Sequence, residues 1–215
     1  MSEKVIVFDL DGTLIDSGRT VATVLNGMRN EQGKPELPMS EFIPWLSLGG
    51  EQLITYALEV GGADVQTNLT YFRQQYFERP TPTDSLYAGV VEALETFSAR
   101  AYRLSICTNK PRRLAEKVLK ETRIEDYFSY ICAGDDLPTR KPHTQNLKVC
   151  VEYFGLMPEH GIVVGDSCVD QSMADQLKMP FYFHRNGYDD GVKISSAHYA
   201  FDHYHQLLTE ILSYE

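Results

Sequence analysis

Cysteine is scarce in this 215-residue sequence, and long apolar runs are absent from it. The four cysteines stand far apart and form no C-x-x-C pair, so the composition excludes a disulfide scaffold. We expect reduced thiols and a cytoplasmic protein. These residues are Cys107, Cys132, Cys150 and Cys168.

Basic residues are also few: 20 Lys and Arg stand against 30 Asp and Glu, a formal net charge of −10. An acidic chain without basic runs argues against nucleic acid and anionic membranes as partners. No segment approaches the ~20 apolar residues of a membrane helix. The short apolar run near the N-terminus meets Asp9 too soon for a signal peptide. A phosphorylated ligand would need the few cations gathered at one site, or a metal ion.

Short apolar runs separated by helical patterns predict an α/β fold with a Rossmann-like parallel sheet. Runs that are apolar on both faces are typical of buried parallel strands, and crossover helices join such strands. Helical spacing is clearest at Leu147, Cys150, Val151 and Phe154, with another helix around Leu114 to Leu119. The predicted strands are 5–8, 104–107, 130–132, 162–164 and 181–183, with a last short strand and a closing helix in the tail.

One stretch interrupts the alternation of predicted strands and helices. Residues 16–83 contain several helical patterns and no convincing strand, and Pro80 and Pro82 near their end suit an extended linker. We therefore expect a small α-helical cap at 16–83, inserted into a core formed by 1–15 and 84–215. Hinges are expected near Asp16 to Gly18 and near Arg79 to Thr83.

Polar side chains follow several predicted strands. In an open parallel sheet, ligands bind outside the carboxyl ends of the strands. Carboxylates, hydroxyls and lysines should therefore converge at that edge. The residues are Asp9 and Asp11 after the first strand, Thr108, Asn109 and Lys110 after the second, Lys141 in a later loop, and Asp166, Ser167 and Asp170 after the fourth.

This set of residue types suits phosphoryl transfer. Clustered carboxylates favour a hard cation such as Mg²⁺. A strand-end carboxylate such as Asp9 can act as a nucleophile and form an aspartyl phosphate. Asp11 could protonate the leaving oxygen and later activate water. Thr108 and Lys141 could hold the phosphoryl oxygens.

Simpler structural roles remain open for some residues. Asp170 also suits the first turn of a helix, and Cys168 has no partner ligand for a soft metal. The pair His203 and His205 indicates a helix start more readily than a metal site. The roles of Lys110, Arg140 and His143 are left open.

The motifs together resemble those of the haloacid dehalogenase-like hydrolase superfamily. They are Asp9-Leu10-Asp11-Gly12-Thr13, Thr108-Asn109, Lys141, and Gly165-Asp166-Ser167 with Asp170. Within the superfamily the chain is most similar to phosphoglycolate phosphatases, by Thr108 to Pro111, Gly134 to Asp136, Lys141 to His143, and the stretch from Trp45 to Leu58.

The resemblance implies roles for individual residues. Asp9 would be the nucleophile and Asp11 the acid/base. Asp9, the backbone carbonyl of Asp11, and Asp166 would hold Mg²⁺. Thr108, Asn109 and Lys141 would bind the phosphate. Asp170 would support the metal site or Lys141.

We therefore expect a Mg²⁺-dependent phosphatase of small phosphorylated metabolites, with phosphoglycolate favoured and an aspartyl-phosphate intermediate. The second Asp of the first motif, Asp11, argues against a dehalogenase. Two features depart from the pattern of the resembled family. Ser47 stands where a glycine is expected, and residues 168–173 are bulkier than usual. Both departures bear on which substrate the enzyme accepts. Two alternatives remain: a sugar-phosphate mutase of the β-phosphoglucomutase type, and a non-catalytic ligand- or partner-binding protein. The sequence leaves the oligomeric state open.

Overall fold

The computed structural model describes residues 4–213 and shows a six-stranded, all-parallel sheet. The strands are β1 (Val5–Phe8), β2 (Arg103–Cys107), β3 (Tyr130–Cys132), β4 (Gly161–Gly165), β5 (Phe181–His184) and β6 (Tyr199–Phe201). The strand order is β3-β2-β1-β4-β5-β6, so the first strand lies in the middle of the sheet. This arrangement confirms the predicted α/β fold class.

Helices cover both faces of the sheet. Successive side chains of a strand point to opposite faces, so Ile6 and Phe8 pack into one apolar core and Val5 and Val7 into the other. The α-helices of the described chain are α1 (Gly18–Glu31), α2 (Gly50–Leu58), α3 (Ala63–Glu78), α4 (Val90–Ala99), α5 (Arg112–Glu121), α6 (Thr144–Glu152), α7 (Cys168–Leu177) and α8 (Tyr204–Leu212). Helices α4, α5 and α8 contribute to the first core, and α6 and α7 to the second.

The segment after β1 is helical, as expected. It holds α1, α2 and α3 with two short 3₁₀ turns, Met39–Glu41 and Ile43–Trp45. The three helices pack on one another through a shared apolar core that includes Leu25, Ile54 and Leu69. This is the helical cap of the predicted fold class.

Two local predictions differ from the structure. Helix α4 was not among the predicted elements, although its buried residues Val90, Ala93, Leu94 and Phe97 follow helical spacing. Phe154, expected on the helix with Leu147, lies beyond the end of α6.

None of the helices within residues 4–213 combines the length and apolar character that a membrane crossing requires.

Candidate active site

Three carboxylates meet at the carboxyl edge of the central strands. Asp9 follows β1 and Asp166 follows β4, and these strands pair in parallel with Phe8 opposite Val164. The Asp9 amide continues the pairing by donating to the Val164 carbonyl at 2.9 Å. Asp170, on the first turn of α7, points to the same place. One oxygen from each of these three buried side chains lies within 4.8 Å of the others.

Lys141 lies between two of these carboxylates. Its Nζ is 2.7 Å from Oδ1 of Asp9 and 2.7 Å from Oδ1 of Asp170. The second oxygen of Asp170 accepts a hydrogen bond from Ser167. Burial alone would lower the pKa of Lys141, but attraction to Asp170 and Asp9 outweighs burial and raises it. Both oxygens of Asp170 are therefore engaged, and Lys141 is held as a cation beside Asp9.

The carboxylates outnumber this single cation. Burial raises the pKa of Asp9 to about 7, against the opposing pull of Lys141, and the neighbouring Asp170 adds to the rise. Burial and the charges of Asp9 and Asp170 also raise the pKa of Asp166. Clustered buried carboxylates with too little positive charge are the environment that a divalent cation relieves. Because all the donors are hard oxygens, the set fits Mg²⁺.

The loop after β1 also fixes the position of Asp166. Thr13 Oγ1 donates to Oδ1 of Asp166 at 2.9 Å, and the Tyr188 amide donates to Oδ2 at 2.7 Å. Gly12 has φ +82°, and a Cβ there would lie 2.0 Å from Oδ2 of Asp166. Position 12 therefore requires glycine for both conformation and space.

Asn109, predicted to bind phosphate, holds the backbone of Lys141. Its Nδ2 donates to the Lys141 carbonyl at 3.2 Å, and its Oδ1 accepts from the Lys141 amide at 3.0 Å. The same Nδ2 lies 3.1 Å from the carbonyl of Ser47 in the helical insertion. Thr108, at the end of β2, is buried, and its hydroxyl accepts from the Lys110 amide at 3.1 Å.

Asp11 is paired with Lys110, a residue to which the sequence analysis assigned no role. The Nζ of Lys110 lies 2.8 and 3.1 Å from the two carboxylate oxygens of Asp11. The other two residues of open role make local contacts: Arg140 donates to the Gly134 carbonyl, and His143 caps α6 by accepting from the Gln145 amide. The expected site residues thus lie together, and Lys110 joins them.

Sequence reasoning missed Tyr188 and Tyr76. Tyr188 lies in the loop after β5, at the same carboxyl edge of the sheet, and its hydroxyl accepts from the Gly18 amide at the start of α1. The rule that placed the other residues at this edge would also have pointed to the loop after β5. Tyr76 lies on α3 and contacts Lys110, and no sequence pattern indicates that contact.

A small cavity separates the helical insertion from this edge. It measures about 80 Å³, far below the ~300–1,000 Å³ of pockets for drug-sized ligands. Its lining combines apolar residues of the insertion with polar residues of the core. Among them are Leu46, Leu53, Leu69, Phe72, Arg73 and Tyr76 from the insertion, and Asp11, Asn109, Lys110 and Leu114 from the core.

The fold and the site define an α/β protein whose parallel sheet carries a buried acidic site with a lysine, under a helical insertion. Comparison with known families is more specific. Residues 6–183 match the family model of the haloacid dehalogenase-like hydrolases. The chain belongs to this family.

Curated relatives specify the reaction class. A phosphoglycolate phosphatase of Nitrosococcus oceani is 32% identical over 200 residues, which cover 90% of this chain and 89% of that protein. A phosphoglycolate phosphatase of Haemophilus influenzae is 32% identical over 217 residues, covering 96% of this chain and 97% of that protein. The chain is therefore an enzyme of the phosphoric monoester hydrolase class.

Solved structures share the whole architecture. The crystal structure of a predicted phosphoglycolate phosphatase from Haemophilus somnus superposes with a TM-score of 0.86 at 26% identity, over 98% of this chain and 99% of that one. A predicted phosphatase from Clostridium acetobutylicum, 19% identical, reaches 0.83 over 99% of this chain and 100% of that one. The second likeness shows the fold alone.

Proposed function

We propose that this enzyme is a Mg²⁺-dependent phosphatase of small phosphomonoesters that works through an aspartyl phosphate on Asp9, with phosphoglycolate as the favoured substrate. The observation that supports it most is the contact of Lys141 with Asp9, 2.7 Å long and buried beside Asp166. A lysine there can attract a phosphoryl group to a carboxylate that is ready to attack it.

The reaction has two halves. An oxygen of Asp9 attacks phosphorus and the bond to the leaving oxygen breaks, while Asp11 gives that oxygen its proton. Water then attacks phosphorus and passes a proton to Asp11, and the bond between Asp9 and phosphorus breaks. Inorganic phosphate and the alcohol are the products, and both side chains return to their starting forms.

Mg²⁺ would be held by Asp9, the backbone carbonyl of Asp11, and Asp166. When bound, the ion supplies positive charge for the phosphoryl oxygens. Asp170 has both oxygens engaged by Lys141 and Ser167, so it would orient Lys141. Thr108, Asn109 and Lys141 would bind the phosphate, with Asn109 also fixing the Lys141 backbone.

The cavity supports a small, anionic substrate. Two cations line it, and Lys110 is already paired with Asp11. Arg73 forms no hydrogen bond or ion pair with any residue in the described part of the chain. Burial and the nearby Arg140 lower the pKa of Arg73, and the attraction of Asp135 and Glu51 offsets this only in part. The carboxylate of phosphoglycolate would give Arg73 a direct ion-pair partner.

The helical insertion at 16–83 would act as a mobile cap on the core formed by 1–15 and 84–215. In the structure, Ser47 donates a hydrogen bond to Asp190 and the Asn109 side chain donates to the Ser47 carbonyl, so the insertion is closed on the core. Opening near Asp16 to Gly18 and Arg79 to Thr83 would admit substrate. Closure would exclude water while the aspartyl phosphate forms.

A panel of phosphorylated metabolites assayed for phosphate release with and without Mg²⁺ tests the proposal. We expect Mg²⁺-dependent turnover, with the highest kcat/KM for phosphoglycolate. Isomerisation of a sugar phosphate that needs a bisphosphate activator would favour a mutase instead. The absence of turnover with every ester would favour a binding protein.

A further inference from the structure

The side chain of Lys110 connects Asp11 to the cap. Its Nζ lies 2.8 Å from Oδ1 and 3.1 Å from Oδ2 of Asp11, and it donates a 3.1 Å hydrogen bond to the hydroxyl of Tyr76. The same nitrogen lies 4.4 Å from the centre of the Tyr76 ring, within range of a cation–π interaction. Asp11 belongs to the loop after β1, whereas Tyr76 lies on α3 of the cap.

This contact is buried. Lys110 is 9% exposed and Tyr76 is 4% exposed. Burial alone would lower the pKa of Lys110, but attraction to Asp11 and Tyr76 outweighs it and raises the pKa. Burial raises the pKa of Tyr76, so its hydroxyl keeps its proton and accepts from the ammonium. The lysine is a fixed cation with two partners, one on each side of the cavity.

The backbone of Lys110 is fixed as well. Its amide donates to Thr108 Oγ1 at 3.1 Å, and its carbonyl accepts from the Gly134 amide at 2.9 Å. A lysine fixed at its backbone and engaged at its Nζ restricts the orientation of the carboxylate that it contacts.

We propose that Lys110 and Tyr76 are positioning residues for the acid/base step: Lys110 orients Asp11 toward the leaving oxygen, and Tyr76 makes this orientation depend on a closed cap. The inference rests on the phosphatase reaction proposed above. When Asp11 gives its proton to the leaving oxygen, it becomes an anion whose charge Lys110 balances. Lys110 keeps its own protons throughout, and Asp11 regains a proton from the attacking water.

Cap opening removes one of the two partners. With α3 withdrawn, Lys110 loses the Tyr76 hydroxyl and ring and becomes exposed to water. Attraction between charges weakens strongly in water compared with a buried site, so Asp11 is then held less firmly. The acid/base group is therefore fully oriented only when the substrate is enclosed.

The test compares esters that differ in their need for a proton. Phosphoglycolate and ethyl phosphate release a strongly basic alkoxide oxygen, whereas acetyl phosphate, of similar size to ethyl phosphate, releases acetate, which needs no proton. Because hydrolysis of the aspartyl phosphate uses Asp11 with every ester, the quantity measured is the single-turnover rate of aspartyl-phosphate formation. In Lys110→Met we expect this rate to fall about 10²- to 10³-fold for the alkyl esters, within the range of general acid catalysis. The same rate for acetyl phosphate should change by less than about tenfold. Tyr76→Phe, which keeps the ring, should show the same selectivity with a smaller loss.

Two matched variants control for the change of residue type. Tyr71→Phe alters an exposed tyrosine on the same helix, and Lys120→Met alters an exposed lysine on α5. Both should leave all rates unchanged. If Lys110→Met does not fold, Tyr76→Phe still decides the matter.

An equal loss in the rate of aspartyl-phosphate formation from alkyl esters and from acetyl phosphate would overturn the inference, because it would indicate a general structural role. A rise in KM with kcat unchanged would overturn it too, since Lys110 would then bind substrate. A wild-type enzyme that hydrolyses none of these esters would refute the proposed function itself, which separates the two failures.

Discussion

The ammonium nitrogen of Lys141 lies 2.7 Å from the carboxylate of Asp9, and both side chains are buried. The contact joins a loop residue to the end of the central strand, 132 positions earlier in the chain (141 − 9). It places a cation where a phosphoryl group would approach Asp9. Because Asp166 and Asp170 share the same space, the site still holds more negative than positive charge.

Mg²⁺ should stabilise the folded protein. An ion that binds the folded site and hardly binds the unfolded chain raises the melting temperature by linkage. Asp166→Asn should weaken both Mg²⁺ binding and activity, and should leave the metal-free protein at least as stable as wild type, because the change relieves carboxylate repulsion. Thermal melts of both proteins across a Mg²⁺ titration measure these effects.

A purely structural role for Asp166 would give the opposite pattern. Its two oxygens accept hydrogen bonds from Thr13 and the Tyr188 amide. If Asp166 served only to accept these hydrogen bonds, the metal-free Asp166→Asn variant would have a lower melting temperature than wild type. Its melting temperature would still rise normally with Mg²⁺. That result would remove Asp166 from the metal site.

The stability of the metal-free protein should depend on pH through Asp9. Its pKa is about 7 in the folded protein, against an ordinary 3.8, so between these values the folded protein binds more protons than the unfolded chain. The free energy of unfolding should therefore fall as pH rises from about 4 to about 7. Asp9→Asn lacks this contribution, so the melting-temperature difference, wild type minus variant, should decrease over that range. A difference that rises with pH would contradict the raised pKa.

Arg73 should determine the preference for an anionic substrate. A hydrogen bond to a charged group contributes about 1.5–3 kcal/mol, so Arg73→Met should raise KM for phosphoglycolate roughly 10- to 100-fold. KM for ethyl phosphate, whose ethyl group carries no charge, should change little. Arg113→Met, an exposed arginine stacked on Phe77, is the control. Equal effects on both esters would show that Arg73 does not contact the carboxylate.

Cap movement can be followed by the distance between spin labels. Thr67→Cys on α3 and Glu152→Cys on α6 place labels on exposed positions of the cap and the core, in a Cys168→Ser background because the other three cysteines are buried. We expect a broad distance distribution without ligand and a narrow one with Mg²⁺ and vanadate. The same distribution in both conditions would contradict the mobile cap.

The fold was largely predictable because strands and helices differ in their apolar spacing. The buried run at Val5–Phe8 and the helix around Leu114 to Leu119 agree with the structure. Helix α4 was missed, although its burial pattern is regular. The residues before α4 form the proline-rich linker and no predicted strand, so the alternation of strands and helices did not predict a helix there.

The site was predictable only in part. Strand ends identify Asp9, Asp11 and Asp166, because topology brings the carboxyl ends of parallel strands together. The contact between Lys110 and Tyr76 depends instead on how α3 packs over the sheet. That packing is a tertiary property of the cap, and no local spacing encodes it. The arrangement of Asn109, which holds the Lys141 backbone, was hidden because it depends on how two loops of the core meet in the folded protein.

The central claim, that Asp9 becomes phosphorylated, is tested most directly by trapping the intermediate. Borohydride reduces an acyl phosphate, so enzyme quenched during turnover of phosphoglycolate with Mg²⁺ should yield homoserine at position 9 by peptide mass spectrometry. Asp9→Asn should show no trapping and should lose at least ~10³-fold in kcat while folding normally. Trapping at another carboxylate, or sustained turnover by Asp9→Asn, would contradict the account.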